Sequence, residues 1–137
     1  MAASQRVLAP LALARPARVL ILESSKMNAF SWPDGRIYVT RGLVERLTDD
    51  ELAAALSHEL GHLLQDHHVT VAALQGFAAS GDCEAKADAW GCAILEARGI
   101  PRSAMTAMLT KVKTHLDDPA RERAIAIRIS ILNGAAQ

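Results

Sequence analysis

The sequence predicts an α+β fold in which a small three-stranded sheet, mixed or antiparallel, packs on a core of helices. Short runs rich in β-branched and aromatic residues lie within the first 40 residues, and the later apolar runs have the spacing of helices. Strands followed by helices in this way are typical of the α+β class. At 137 residues the chain is long enough for one core, so we expect a single domain over residues 1–137.

Charge and hydropathy exclude several classes of protein. Lys and Arg number 15, as do Asp and Glu, so nothing favours binding to nucleic acid or to an anionic membrane surface. No run approaches the roughly 18 apolar residues that a transmembrane helix needs. The apolar segment 7–14 ends in Ala-x-Ala like a signal peptide, but it is brief, contains a proline and follows a single arginine. The sequence predicts a soluble chain, with the cytoplasm favoured over the periplasm or secretion.

Three short strands are predicted before residue 41. The first is residues 17–22, and residues 27–40 form a hairpin around the turn-like sequence Pro-Asp-Gly-Arg at 33–36. The segment Asn28, Ala29 and Phe30 is our candidate for an exposed edge, where an extended peptide can add as a further strand. An ordinary hairpin strand accounts for the same residues equally well.

A short helix is predicted over 42–47, and a longer one begins at Thr48. Thr48 and Glu51 have the spacing of a capping box, and further acidic residues suit the positive end of the helix dipole. A leucine stripe faces the core, and the histidines of a His-Glu-x-x-His motif project from nearly the opposite side. The stripe is Leu52, Leu56, Leu60 and Leu63.

The motif places His58 and His62 four residues apart, so both rise from one helix face and can share a metal ion. Glu59 then stands where it can take a proton from a water molecule at a zinc ion. The alternative is a helix with two incidental histidines, either satisfied by carboxylates in the core or solvated. Since that alternative ignores the register of Glu59 and the cap, the sequence predicts a metal site.

A second helix, capped near Asp82 and running to Arg98, offers the third ligand. Glu84 and Asp88 are four apart and share a face. Glu84 completes a set of two imidazoles and one carboxylate with a fourth position open, and Asp88 can hydrogen-bond a ligating imidazole. The alternative is a pair of solvated carboxylates. Cys83 and Cys92 are nine apart on this helix, hence on opposite faces, and are expected not to form a disulfide.

His68 is a rival third ligand. A helix that continues unbroken through Gln65 towards His67 places His68 about 9 Å further along the axis than His62. A helix break of the kind that returns a third histidine needs a glycine where Gln65 stands. We therefore favour Glu84, with residues 69–79 forming a buried or lid-like connection.

Taken together, five segments resemble the HtpX/CAAX-prenyl-protease-like family of gluzincin zinc endopeptidases, here without transmembrane helices. The resemblance covers roughly residues 18–125 and implies a zincin-type core acting on peptide or unfolded protein substrates. It implies one zinc ion bound by His58, His62 and Glu84, with Glu59 as general base. It further implies that Asp88 supports a ligand and that Asn28, Ala29 and Phe30 form the upper rim of the cleft. The segments are residues 28–30, 33–43, 50–52, 57–62 and 84–91.

The C-terminal part departs from the family pattern of a His-Pro followed by an arginine that contacts substrate and oxyanion. Here His115 and Pro119 are separated, so either His115 or Asp118 occupies the histidine position, and Arg123 matches the arginine. The resemblance therefore implies catalytic roles for His115 and Arg123. The alternative is a surface loop followed by a helix over 121–132, packed by Ile125, Ile127, Ile129 and Ile131.

The sequence thus predicts a zinc metalloendopeptidase, and two other functions stay open. One is a regulatory gluzincin that cleaves a repressor, for which a dedicated protein partner would argue. The other is a non-catalytic interaction domain stabilised by zinc, in which altering Glu59 would leave partner binding unchanged.

Overall fold

A mixed sheet forms the N-terminal layer of the computed structural model, which describes residues 18–32, 34–64 and 81–135. Its strands are β1 (Arg18–Leu22), β2 (Ala29–Ser31) and β3 (Arg36–Thr40). The central strand β3 is parallel to β1 and antiparallel to β2. Alternate side chains of β3 point into the core, where Ile37 and Val39 are completely buried. The predicted α+β class is confirmed, with the sheet mixed.

The predicted hairpin is present between β2 and β3. The Gly35 N–H donates to the Trp32 carbonyl across 3.0 Å and closes the turn. Gly35 has φ 96°, a backbone conformation that favours glycine. On the sheet face away from Ile37 and Val39, Phe30 lies opposite Tyr38 and their rings stack with centroids 5.0 Å apart.

The described residues after the sheet form five helices: α1 (Arg41–Arg46), α2 (Asp49–Leu64), α3 (Gly81–Ala97), α4 (Ser103–Thr114) and α5 (Pro119–Ala135). The capping box at the start of α2 is confirmed, because the Thr48 N–H donates to Glu51 and the Glu51 N–H donates to the Thr48 hydroxyl. Helix α4 is absent from the sequence predictions. It contributes Met105, Met108 and Leu109 to the core.

Helix α5 begins two residues before the predicted start, at Pro119. The Asp118 carboxylate accepts hydrogen bonds from the N–H groups of Ala120 and Arg121, so Asp118 caps the helix. Of the four isoleucines expected to pack, Ile125 is buried and Ile129 is half-buried, whereas Ile127 and Ile131 are 61% and 52% exposed. The apolar run therefore does not lie wholly against the core, because a helix turns alternate residues to different sides.

Close packing of α2 against α3 sets the position of the candidate site. A Cβ atom on Gly61 would lie 2.6 Å from the Ala87 carbonyl oxygen, so only glycine permits this approach. Both helices contribute fully buried leucines to the common core: Leu56 and Leu60 from α2 and Leu95 from α3. The acidic face of α3 is thereby brought against the histidine face of α2.

Several sequence expectations lie outside the described residues: the signal-like segment 7–14, Gln65, His67, His68 and the connection 69–79. Within the ranges that are described, none of the helices has the length and apolar character needed to cross a bilayer.

Candidate metal centre

Helix α2 presents two imidazoles towards α3. The rings of His58 and His62 meet edge to face with centroids 4.7 Å apart, and their Nε2 atoms are 3.1 Å apart. His58 is 8% exposed, whereas His62 is half-buried. One helical turn therefore brings two nitrogen donors to a common point.

Glu84 of α3 joins them at that point. Its Oε2 lies 3.1 Å from His58 Nε2, and its Oε1 lies 3.2 Å from His62 Nε2. One donor atom from each of the three residues lies within 4.8 Å of the others, so the group can hold a metal ion. Two imidazole nitrogens and one carboxylate oxygen, with room for a further ligand, form a donor set that suits zinc.

Asp88 supports the first histidine from behind. His58 Nδ1–H donates to Asp88 Oδ1 across 2.8 Å, and Asp88 is 2% exposed. In the neutral ring, a proton held on Nδ1 leaves the lone pair on Nε2, which faces the other donors. The spacing of Glu84 and Asp88 thus brings both carboxylates to His58, on opposite edges of its ring.

Arg128 of α5 completes the cluster, and sequence reasoning missed it. Its Nε and Nη2 lie 2.8 Å from the two oxygens of Asp88, and its Nη1 lies 3.3 Å from Glu84 Oε2. The available signal was a single charge within the apolar run 125–132, which is unexpected on a buried helix face unless a partner is present.

The electrostatics of the cluster favour a cation. Burial by itself disfavours the imidazolium of His58, but hydrogen bonds to Asp88 and Glu84 outweigh it and raise the pKa to about 9. Burial likewise opposes ionisation of Glu84, yet its bonds to His58 and His62 hold the pKa of this carboxyl well below its usual range. A site that stabilises positive charge between ionised carboxylates fits a divalent metal ion.

Glu59 lies beside these ligands on α2 and is 5% exposed. Burial raises the pKa of its carboxyl above the usual value, while the charges of His58 and His62 act in the opposite direction. A raised carboxyl pKa brings proton uptake closer to neutral pH, as a general base requires.

The predicted rim residues occupy the edge of the sheet. Asn28 is exposed and precedes β2, and Ala29 and Phe30 are half-buried within it. Strand β2 pairs with β3 on one side and packs on the motif helix α2. Its other side is the sheet edge in the described part of the chain.

The other two predicted catalytic residues lie apart from this cluster. His115 is exposed at the end of α4, with its Nδ1 2.9 Å from the Lys111 carbonyl oxygen. Arg123 is exposed on α5, five residues before Arg128 and therefore on a different side of the helix. Among the described residues, no hydrogen bond or ion pair joins His115 or Arg123 to the metal-binding group.

Comparison with known proteins adds family evidence to this geometry. A family model described as Peptidase family M48 matches residues 2–80, which include His58, Glu59 and His62. Protease HtpX from Acinetobacter baumannii (strain AYE) is 43% identical over 60 residues, covering 41% of this chain and 20% of that protein. Protease HtpX from Pseudomonas fluorescens (strain Pf0-1) is 40% identical over 60 residues with the same coverage. The chain therefore spans about a fifth of the length of the curated relatives it matches.

Proposed function

This chain belongs to peptidase family M48, and on that premise we propose that it is a zinc-dependent endopeptidase acting on peptides or unfolded proteins. The observation that carries the proposal is the convergence of His58, His62 and Glu84 within 4.8 Å, with Glu59 beside them on α2. The convergence joins two helices, which fits a site built for an ion better than it fits incidental histidines.

His58, His62 and Glu84 would hold one zinc ion. When bound there, zinc supplies Lewis-acid chemistry, lowering the pKa of a water molecule and polarising the scissile carbonyl. Asp88 keeps the proton of His58 on Nδ1, so that Nε2 stays available as a ligand.

Glu59 moves the proton in this scheme. Its carboxylate takes a proton from the attacking water and passes it to the nitrogen of the leaving amine. Burial supports this role, because a carboxyl whose pKa is raised accepts a proton more readily than an exposed one.

The substrate would bind along β2 as an added strand. Asn28 and Trp32 both bond to β3 through their main chain, so by alternation the polar main-chain groups of Ala29 and Ser31 face the edge. Main-chain pairing at an edge holds an extended peptide with little regard to its sequence, which suits unfolded substrates.

His115 and Arg123 enter the proposal on the resemblance alone. Either would steady the developing oxyanion, and losing such a group commonly costs about 10²-fold in turnover. Unchanged turnover of a peptide substrate in both His115→Ala and Arg123→Ala would remove this part of the proposal.

The proposal as a whole is tested by zinc content and casein cleavage, measured on the wild type and on Glu59→Gln. We expect one zinc per chain in both proteins and cleavage in the wild type alone. Equal cleavage by the variant would contradict the role of Glu59. Zinc in both without cleavage in either would favour the non-catalytic, zinc-stabilised interaction domain.

A further inference from the structure

We propose that Arg128 is a positioning residue of the metal centre, which holds the carboxylates of Asp88 and Glu84 in the orientation that zinc binding requires. The inference rests on the proposed function only in that the cluster binds a divalent metal ion. It assigns a role in metal affinity to helix α5, which contributes no ligand.

The Arg128 guanidinium makes a bidentate contact with the Asp88 carboxylate. Nε lies 2.8 Å from Oδ2 and Nη2 lies 2.8 Å from Oδ1, the oxygen that also accepts from His58 Nδ1–H. Two parallel hydrogen bonds fix the plane of the carboxylate as well as its distance. The direction in which Asp88 meets the imidazole is therefore set by Arg128.

The remaining guanidinium nitrogen, Nη1, reaches Glu84, which lies on α3 with Asp88. Nη1 lies 3.3 Å from Glu84 Oε2, while Oε1 faces His62 Nε2 at 3.2 Å. One arginine thus holds the two carboxylates of α3 that belong to the cluster: Glu84, a metal ligand, and Asp88, the support of a metal ligand.

Helix α5 is docked so that this side chain cannot easily turn away. Ile125 and Leu132 are 5% and 6% exposed, and they lie three residues before and four residues after Arg128 on one helix face. The Arg128 side chain is itself only 14% exposed. Burial of these two neighbours anchors the guanidinium over the cluster.

If Arg128 contributed only its charge, removing it would change zinc affinity in the opposite direction to that expected for a positioning residue. A fixed positive charge near the site repels a divalent cation, so its removal would strengthen zinc binding if charge were its whole contribution. Loss of positioning weakens zinc binding, because groups that orient metal ligands typically contribute about 10- to 100-fold in affinity. The direction of the change therefore separates the two roles.

The test is zinc affinity, measured by competition with a chromophoric chelator, on wild type, Arg128→Gln and Arg128→Lys. Arg121→Gln is the matched control, because Arg121 is exposed in the first turn of the same helix. The visible spectrum of each cobalt(II)-substituted protein reports ligand geometry, and circular dichroism at saturating zinc checks folding. No peptide cleavage is needed, so an inactive protein that binds zinc still tests the proposal.

We expect Arg128→Gln to weaken zinc binding by about 10- to 100-fold and to alter the cobalt spectrum, with Arg121→Gln unchanged. Arg128→Lys keeps the charge but lacks the planar fork, so we expect it to restore less than half of the loss on a logarithmic scale. Equal or tighter zinc binding by Arg128→Gln would overturn the proposal. If Arg128→Gln does not fold, wild-type affinity and spectrum in Arg128→Lys would overturn it.

Discussion

The Asp88 carboxylate accepts the Nδ1–H of His58 across 2.8 Å, and this buried bond joins helix α3 to the motif helix α2. It links the chemistry of the site to the packing of the two helices, because the two bonded side chains are buried and belong to different helices.

Replacing Asp88 with alanine should weaken zinc binding by about 10- to 100-fold, because His58 loses the partner that fixes its tautomer and ring orientation. Chelator competition measures the effect. Glu96→Gln is the control, since Glu96 lies two turns further along α3 and is exposed. Wild-type zinc affinity in Asp88→Ala would show that His58 needs no support from α3.

Gly61→Ala should destabilise the fold by about 1–3 kcal/mol, because the new methyl group overpacks the contact between α2 and α3. The atom it meets is the Ala87 main-chain oxygen at 2.6 Å, which cannot rotate away. Urea unfolding followed by circular dichroism measures the loss. Gly134→Ala is the control, because nothing lies within 4 Å of a Cβ there, and it should leave stability unchanged or slightly raised.

The contact of Glu51 with Lys111 should make stability depend on pH. Burial opposes ionisation of Glu51, but hydrogen bonds from Lys111 and from the Thr48 N–H outweigh it and lower the pKa below 4.5. A carboxyl whose pKa falls on folding stabilises the protein above its unfolded pKa, and that stability is lost as the pH falls through the folded value.

Glu51→Gln should therefore cost about 1 kcal/mol of unfolding free energy near pH 7, a small value because Lys111 is partly exposed. The difference from wild type should shrink as the pH drops below 4.5. Urea titrations across this pH range measure it, with Asp49→Asn as an exposed control in the same turn. A difference that stays constant down to about pH 3 would assign the cost to packing instead of charge.

Ala29→Pro should lower kcat/KM for casein-derived peptides by about tenfold, because it places a proline ring at the proposed substrate edge and removes a main-chain donor there. The N–H of Ala29 points away from β3 and bonds to the Asn28 side chain, so the hairpin itself loses no ladder bond. Ala29→Val, which keeps the N–H, is the control. Equal kcat/KM in both variants would place the substrate elsewhere.

The local parts of this structure were predictable from the sequence. Three features depend only on residues a few positions apart, and each is present as expected. They are the spacing of His58 and His62, the capping pair of Thr48 and Glu51, and the turn at Gly35. The pairing of Glu84 with the histidines needed only the assumption that two helices meet. Gly61, which lets them meet so closely, is part of the same motif.

The role of Arg128 could not be predicted from the sequence, because it depends on which face of α5 is buried. Four alternating isoleucines do not form a stripe along one side of a helix. In the structure, Ile125 and Leu132 mark the buried face of α5, and the alternation does not indicate that face. The contact between α5 and α3 spans 40 residues from Asp88 to Arg128, and no spacing rule covers it. The family resemblance pointed to Arg123 instead, which lies about one and a half helical turns before Arg128.

A crystal structure of the zinc-loaded protein, with data collected on both sides of the zinc absorption edge, would test whether His58, His62 and Glu84 bind zinc. We expect one anomalous peak about 2.0–2.2 Å from His58 Nε2, His62 Nε2 and a Glu84 oxygen. A zinc peak at other residues, or none at these three under saturating zinc, would contradict it.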